Sequence, residues 1–181
     1  MRNMRRLPLL LLAPLALATG GAAAIAQTEG PVSALKGHNS NAPIDLTAER
    51  LEVQERADRA IFAGNVKVRQ DELTLDTSRL TVAYSSSGGV QIKRLDASGG
   101  VTVRSPSETA SGAFGIYDLD RKLITLVGNV VLKREGSQIS GQRLVIDLDS
   151  GRAIIDGGPA GVGQSGGRVT GHFTVPQRSG G

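Results

Sequence analysis

The sequence contains no cysteine, no tryptophan and two histidines, and aromatic residues make up 3% of its 181 positions. Without cysteine there is no disulfide, no thiol nucleophile, no cysteine-based zinc site and no residue for lipoprotein-type N-terminal acylation. The scarcity of aromatics leaves base-stacking platforms poorly supplied. His38 and His172 lie far apart, and neither has a triad partner or a metal-ligand spacing around it. After residue 30 no stretch carries helical periodicity, and no block of like charge occurs. No catalytic residue, cofactor or metal site is therefore assigned, and nucleic acid is excluded as a partner.

The first 26 residues read as an address. Arg2, Arg5 and Arg6 form a basic start, Leu7 to Ala18 an apolar run broken by Pro8 and Pro14, and Ala24-Ile25-Ala26 a cleavage site. This predicts a secretory signal peptide cut after Ala26. The run is too short and too proline-rich for a membrane span, which needs about 20 apolar residues. Loss of these three arginines takes the formal charge from +4 to +1, so the basic pI of the whole chain says little about the exported protein.

What the chain does have is a repeat. A 21-residue block starting at Gly64 (GNVKVRQDELTLDTSRLTVAY) returns at Gly99 and at Gly128, offset by 35 and 29 residues without a gap. Residues 44–53 overlay 73–82, and a shorter echo occupies 169–175. Such a period marks stacked supersecondary units that bury apolar faces against their neighbours.

Within each unit the apolar period is two, the mark of strands with one buried face. Ala60/Phe62, Leu95/Ala97, Ile124/Leu126 and Ala153/Ile155 fill one equivalent pair of inward slots. Val66/Val68, Val101/Val103 and Val130/Leu132 fill the next. Leu51/Val53, Leu80/Val82 and Leu144/Ile146 fill a third, where the second copy has Gly115/Tyr117. The parity runs unbroken through Gly64-Asn65, which favours a glycine-kinked continuous strand over a hairpin there. It flips between Leu75 and Leu80, predicting a bulge or corner.

Turn chemistry falls at equivalent points: Gln70-Asp71-Glu72, Ser105-Pro106-Ser107 and Glu135-Gly136 at one corner, and 85–89, 118–122 and 147–152 at the other. The paired aspartates Asp118/Asp120 and Asp147/Asp149 sit at these corners and read as turn formers rather than calcium ligands. The expected organisation is a flexible lead-in at 27–41, an all-β domain at 42–156, and a tail at 157–181. That tail opens with six glycines and one proline in eleven residues, continues in a terminal strand at 169–175, and ends frayed.

The tandem G-N/G-V units, strands such as Ser78 to Tyr84 and Gln142 to Asp147, and the leading segment Pro43 to Val53 resemble the OstA-like family over about residues 42–156. The resemblance implies a single twisted, partly open β-jellyroll built from repeated antiparallel strand units. It further implies a periplasmic, non-enzymatic carrier that shields the lipid A acyl chains of lipopolysaccharide. Such modules join head to tail, with copies of themselves and with inner- and outer-membrane transport components that carry similar β-jellyrolls. The expected edges for joining are the strand around Ile44 to Val53 and the segments after Gly128.

On this reading the interior lipid-facing candidates are Leu51, Val53, Phe62, Val66, Val68, Leu80, Val82, Tyr84, Phe114, Tyr117, Leu126, Leu144 and Ile146. Arg50, Arg79 and Arg143 occupy equivalent positions and read as outward, solvated residues. Phe114 takes that position in the second copy and interrupts any phosphate-binding ladder. The alternative is an exported structural or adhesive β-repeat protein that binds a protein partner and has a dry core.

Overall fold

Alternation with a single inward face requires each strand to find partners on both edges, and short polar turns make those partners sequential neighbours. The structure, a computed structural model, describes residues 35, 38–158 and 167–174, all within the compact unit Pro31–Gly181. The expected signal peptide and the last residues of the tail lie outside the described residues. The strands are β1 (Ile44–Thr47), β2 (Arg50–Gln54), β3 (Arg59–Gln70), β4 (Leu73–Ser85), β5 (Gln91–Arg104), β6 (Glu108–Asp118), β7 (Leu123–Arg134), β8 (Ser137–Asp147), β9 (Arg152–Asp156) and β10 (Thr170–Phe173). A single 3₁₀ turn, Glu55–Ala57, links β2 to β3.

Among the described residues these ten strands form one antiparallel sheet. β3 to β8 follow one another as hairpins; β1 and β2 share the free edge of β3, and β9 and β10 share that of β8. The two ends do not pair with each other, so the sheet is open. The all-β class expected from the repeat and the partly open architecture implied by the OstA-like resemblance are both observed.

Each long strand is bent once. Between Ala63 and Val66, β3 takes three steps where β4 takes two from Thr77 to Arg79. The same extra residue recurs in β5 between Ser98 and Val101 and in β7 between Val127 and Val130. These are bulges, and they fall on Gly64-Asn65, Gly99-Gly100 and Gly128-Asn129, whose φ angles are all positive. Glycine is required at Gly128 for a second reason: a Cβ there would stand 2.9 Å from that of Ala113 on the adjacent strand. The kinked continuous strand and the corner after Leu75 are thus one device.

The bends divide the sheet into two leaves. The leading halves of β3, β5 and β7 pair with the trailing halves of β4, β6 and β8, and β2 and β9 flank them. The remaining halves form the second leaf with β1 and β10. Their apolar faces meet: Leu80, Leu126 and Leu144 of the first leaf and Val130 of the second have no exposed surface. Full burial of each such side chain is worth about 1.5–3 kcal/mol. Gly115 of the first leaf lies so near Val101 of the second that a Cβ would come within 3.0 Å of it. That contact explains why the second copy carries glycine in a slot that is leucine elsewhere.

The lead-in differs from the expectation of a flexible segment where it is described. Leu35 is buried in the core, and Ser40 and Ala42 are tied to β3 by hydrogen bonds from Gln70. The cause is local: the open end of the sheet leaves apolar surface and a buried amide that this segment covers. In the tail, β10 lies within 169–175, while 159–166 lie outside the described residues.

Candidate functional site

The two leaves enclose an apolar strip, and its register decides which side chains face in. Val66, Val68, Leu80, Val82, Tyr117, Leu126, Leu144 and Ile146 are buried in the common core, with Phe62 packed partly buried against it. Tyr84 is half-buried at the irregular end of β4, where its pairing with Ile92 follows a register shift. Leu51 and Val53 lie opposite Phe62 and Ala60, hence on the same face, yet both are 54% exposed. β2 has a strand on one side only, so these two residues form an uncovered apolar lip.

Phe114 contradicts the interior assignment. It pairs with Ser98 and Val127 in an outward row and is 57% exposed. Side chains alternate along a strand, and Gly115 and Tyr117 take the inward positions of β6, so residue 114 must point out. The same outer row holds Arg50, Arg79 and Arg143. Arg50 and Arg143 lie against Glu52 and Asp156, consistent with a solvated role.

The middle of the strip is filled by side chains and open volume lies toward its ends. At the β1 end a small cavity of about 20 Å³, room for a water-sized group, is lined by Ile44, Val68, Leu73, Leu75, Leu95, Val103 and Leu126, with Gln70 and Tyr117 as its polar members. Gln70 is buried and fully engaged. Its Oε1 accepts from Tyr117 Oη at 3.0 Å and meets His38 Nε2 at 3.1 Å, while its Nε2 donates to the carbonyls of Ser40 and Ala42. Burial pushes the Tyr117 hydroxyl above its ordinary pKa, so it remains a donor. This knot closes the β1 end.

The opposite end is open. A groove of about 270 Å³ between β7, β8, β9 and β10 is lined by Leu132, Ile139, Ala153, Ile155, Val169 and Phe173, together with Arg134 and Ser137. Arg134 pairs with Glu108, whose side chain is buried. Glu108 and Arg134 were not among the residues singled out from the sequence, and Gln70, read there as part of a turn, is the last residue of β3. The signal was parity: Gln70 continues Val66 and Val68, Glu108 precedes Ala110, and Arg134 continues Val130 and Leu132.

The aspartate corners behave as turn formers. Asp147 accepts from the backbone N–H groups of Asp149 and Ser150, and Asp118 from that of Arg121. Among the described residues there is no cluster of three or more side chains able to hold a metal ion.

Residues 45–152 match the family described as LptA/(LptD N-terminal domain) LPS transport protein. An uncharacterized protein of Rhizobium meliloti (strain 1021) is 34% identical over 142 residues, covering 74% of this chain and 76% of that one. In fold, the chain is similar to the crystal structure of LptH from Pseudomonas aeruginosa. That protein is described as the LptA-homologous periplasmic component of the conserved lipopolysaccharide transport device. The TM-score is 0.65 at 16% identity, over 76% of this chain and 99% of that one.

Proposed function

The chain belongs to the LptA/LptD N-terminal domain family of lipopolysaccharide transport proteins, and from that premise we propose that it is a non-enzymatic periplasmic carrier of lipopolysaccharide. The observation that carries the reading is the apolar strip between two leaves of an open sheet, ending in an uncovered groove at β9 and β10. An acyl chain of about a dozen carbons costs on the order of 10 kcal/mol to expose to water, at about 0.8 kcal/mol per CH₂. A lipid with several such chains needs a continuous apolar path to cross an aqueous compartment. Separation of the leaves exchanges leucine and valine contacts for acyl contacts of the same chemical kind, so passage meets no deep well. Binding alone gives no direction, and the chain has no nucleotide-binding loop, so the driving energy comes from a partner.

The path continues between molecules by strand addition. β1 and β2 at one end and β9 and β10 at the other present sheet edges without a strand partner among the described residues. Such edges accept further strands. Head-to-tail joining of copies, and joining to similar modules on inner- and outer-membrane transport components, would align successive apolar strips.

Photocrosslinkers placed at Phe62, Val82 or Ile146 should capture lipopolysaccharide, whereas one at the outward Lys67 should not. Equal labelling at both sets would sink the interior path. One observation favours the rival reading of a dry-cored binding protein: the middle of the strip is already filled by Leu80, Leu95, Leu126 and Leu144. Native purification followed by lipid mass spectrometry separates the two, since the rival would emerge without lipid.

A further inference from the structure

Both leaves turn apolar residues inward, yet at the open end the inward positions of β6 and β7 carry a cross-strand pair of charges, Glu108 and Arg134. Arg134 Nη2 and Nε reach the same carboxylate oxygen, Oε2, at 2.7 and 3.2 Å. The Glu108 side chain is 4% exposed and that of Arg134 is 28% exposed. Taking ions out of water carries a penalty of several kcal/mol each before their attraction offsets it, and an apolar pair would fill the same slots without it. The position of the pair is informative. Arg134 is the last residue of β7 and lines the groove beside Leu132, Ile139, Ile155 and Phe173.

We propose that Arg134, held in place by Glu108, is a headgroup subsite that selects lipids carrying phosphate next to their acyl chains. This rests on the carrier reading above and deepens it. An amphiphile whose chains lie on the apolar wall brings its headgroup to the edge of that wall, and among the residues lining the groove the basic one is Arg134. A guanidinium has five N–H donors in a planar fork. Glu108 takes two of them from one edge, leaving the others for a phosphate oxygen. Glu108 thus acts as the positioning residue: it keeps the fork along the groove wall. Because its charge offsets that of Arg134, the site favours phosphate through directed hydrogen bonds rather than through a strong local field, which suits a lipid that must leave again. Ser137, paired with Arg134 across the β7–β8 turn, offers a hydroxyl in the same groove.

The test is equilibrium binding of the mature protein to diphosphorylated lipid A and to the same lipid after enzymatic dephosphorylation. Wild type should prefer the phosphorylated form by about tenfold, the effect of one charge-assisted hydrogen bond. Arg134→Gln should reduce that preference to near one, chiefly by weakening binding of the phosphorylated form, and Arg134→Lys should retain part of it. If Arg134→Gln fails to fold because a buried carboxylate loses its cationic partner, the double variant Glu108→Gln/Arg134→Gln removes both charges and gives the same readout. A preference that survives loss of Arg134 overturns the subsite and leaves the carrier intact. Equal loss of both lipids in a folded variant shows a purely structural pair and also overturns it. Failure of wild type to bind either lipid overturns the carrier reading, and the subsite with it.

Discussion

Tyr117 on β6 donates its hydroxyl to Gln70 Oε1 on β3 at 3.0 Å, and the two residues belong to opposite leaves of the sheet. This bond spans the interior at the one end where the structure is closed by its own lead-in. Opening the β1 end therefore requires breaking it together with the bonds from Gln70 to His38, Ser40 and Ala42.

Gln70→Leu should cost about 1–3 kcal/mol, because it leaves the buried Tyr117 hydroxyl and two carbonyls without their partner. Tyr117→Phe should cost less, about 0.5–1.5 kcal/mol, since Gln70 keeps its other partners. Urea unfolding measures both. Hydrogen exchange should show the amides of 38–42 losing protection in Gln70→Leu well before those of β7. Unchanged exchange at 38–42 would mean that the segment is held by Leu35 alone.

Gly128→Ala should destabilise more than Gly88→Ala, although both glycines have φ near 84°. Either alanine carries the left-handed backbone cost of about 1–2 kcal/mol. At Gly88 the new methyl meets open space, whereas at Gly128 it meets the Cβ of Ala113. Ala113→Gly in the Gly128→Ala background should recover the difference but not the backbone cost. Thermal melts of the three variants against wild type test this directly.

Much of the fold was legible because a kinked strand preserves what a sequence pattern records. The run Ala60, Phe62, Val66, Val68 keeps its parity only because the bulge at Gly64-Asn65 inserts an extra residue, so period and kink announced each other. The interior was harder to read. Phe114 has the apolar character of a lining residue, although its neighbours Gly115 and Tyr117 claim the inward parity. Leu51 and Val53 have the right parity, but their exposure depends on how many strands stand beside β2, which no local pattern encodes. A search for apolar alternation discards polar residues on the same face, which hides Glu108 and Arg134 and makes Gln70 read as part of a turn rather than as the last inward residue of β3. The contact of the lead-in with the core has no periodic signal at all, since it rests on Leu35 and single hydrogen bonds.

Phe114 gives a direct check on that correction. Phe114→Ser should change stability within about 0.5 kcal/mol, as expected of an exposed site away from special features. Leu126→Ala, on the inward face of the adjacent strand, should cost about 2–5 kcal/mol. Comparable losses from the two would place Phe114 back inside.

The β8–β9 corner should loosen in acid. Arg143 and, next, the backbone N–H of Gly158 hold the Asp156 carboxyl below its ordinary pKa of 3.8. Asp147 is likewise lowered, chiefly by the backbone N–H of Ser150. Groups with depressed folded values contribute stability above the unfolded value, and that contribution is lost as pH falls through the folded value. Protection of β9 amides should therefore be constant from neutrality to about pH 4 and decline below it. Asp156→Asn should remove part of the decline and leave the part due to Asp147. An unchanged profile in that variant would assign the whole effect to the turn.

The junction between copies can be tested with proline in β1, because successive N–H groups of a strand point to opposite edges. β1 pairs with β3 on one side, so of Asp45 and Leu46 one donates inward and the other faces the open edge. Proline deletes the donor in each case. At the inward position it should lower the melting temperature; at the outward position it should leave the monomer nearly as stable and weaken association. Glu49 is not a suitable site, since its N–H already bonds the Gly64 carbonyl at 3.0 Å within the chain. Concentration-dependent light scattering on wild type and both variants provides the readout, with melting temperature as the control. If both prolines leave association intact, the β1 edge is not the junction. A wild type that stays strictly monomeric and also fails to bind its membrane partners would leave a shuttle in place of a bridge, because a discontinuous apolar path requires the whole protein to diffuse with its lipid.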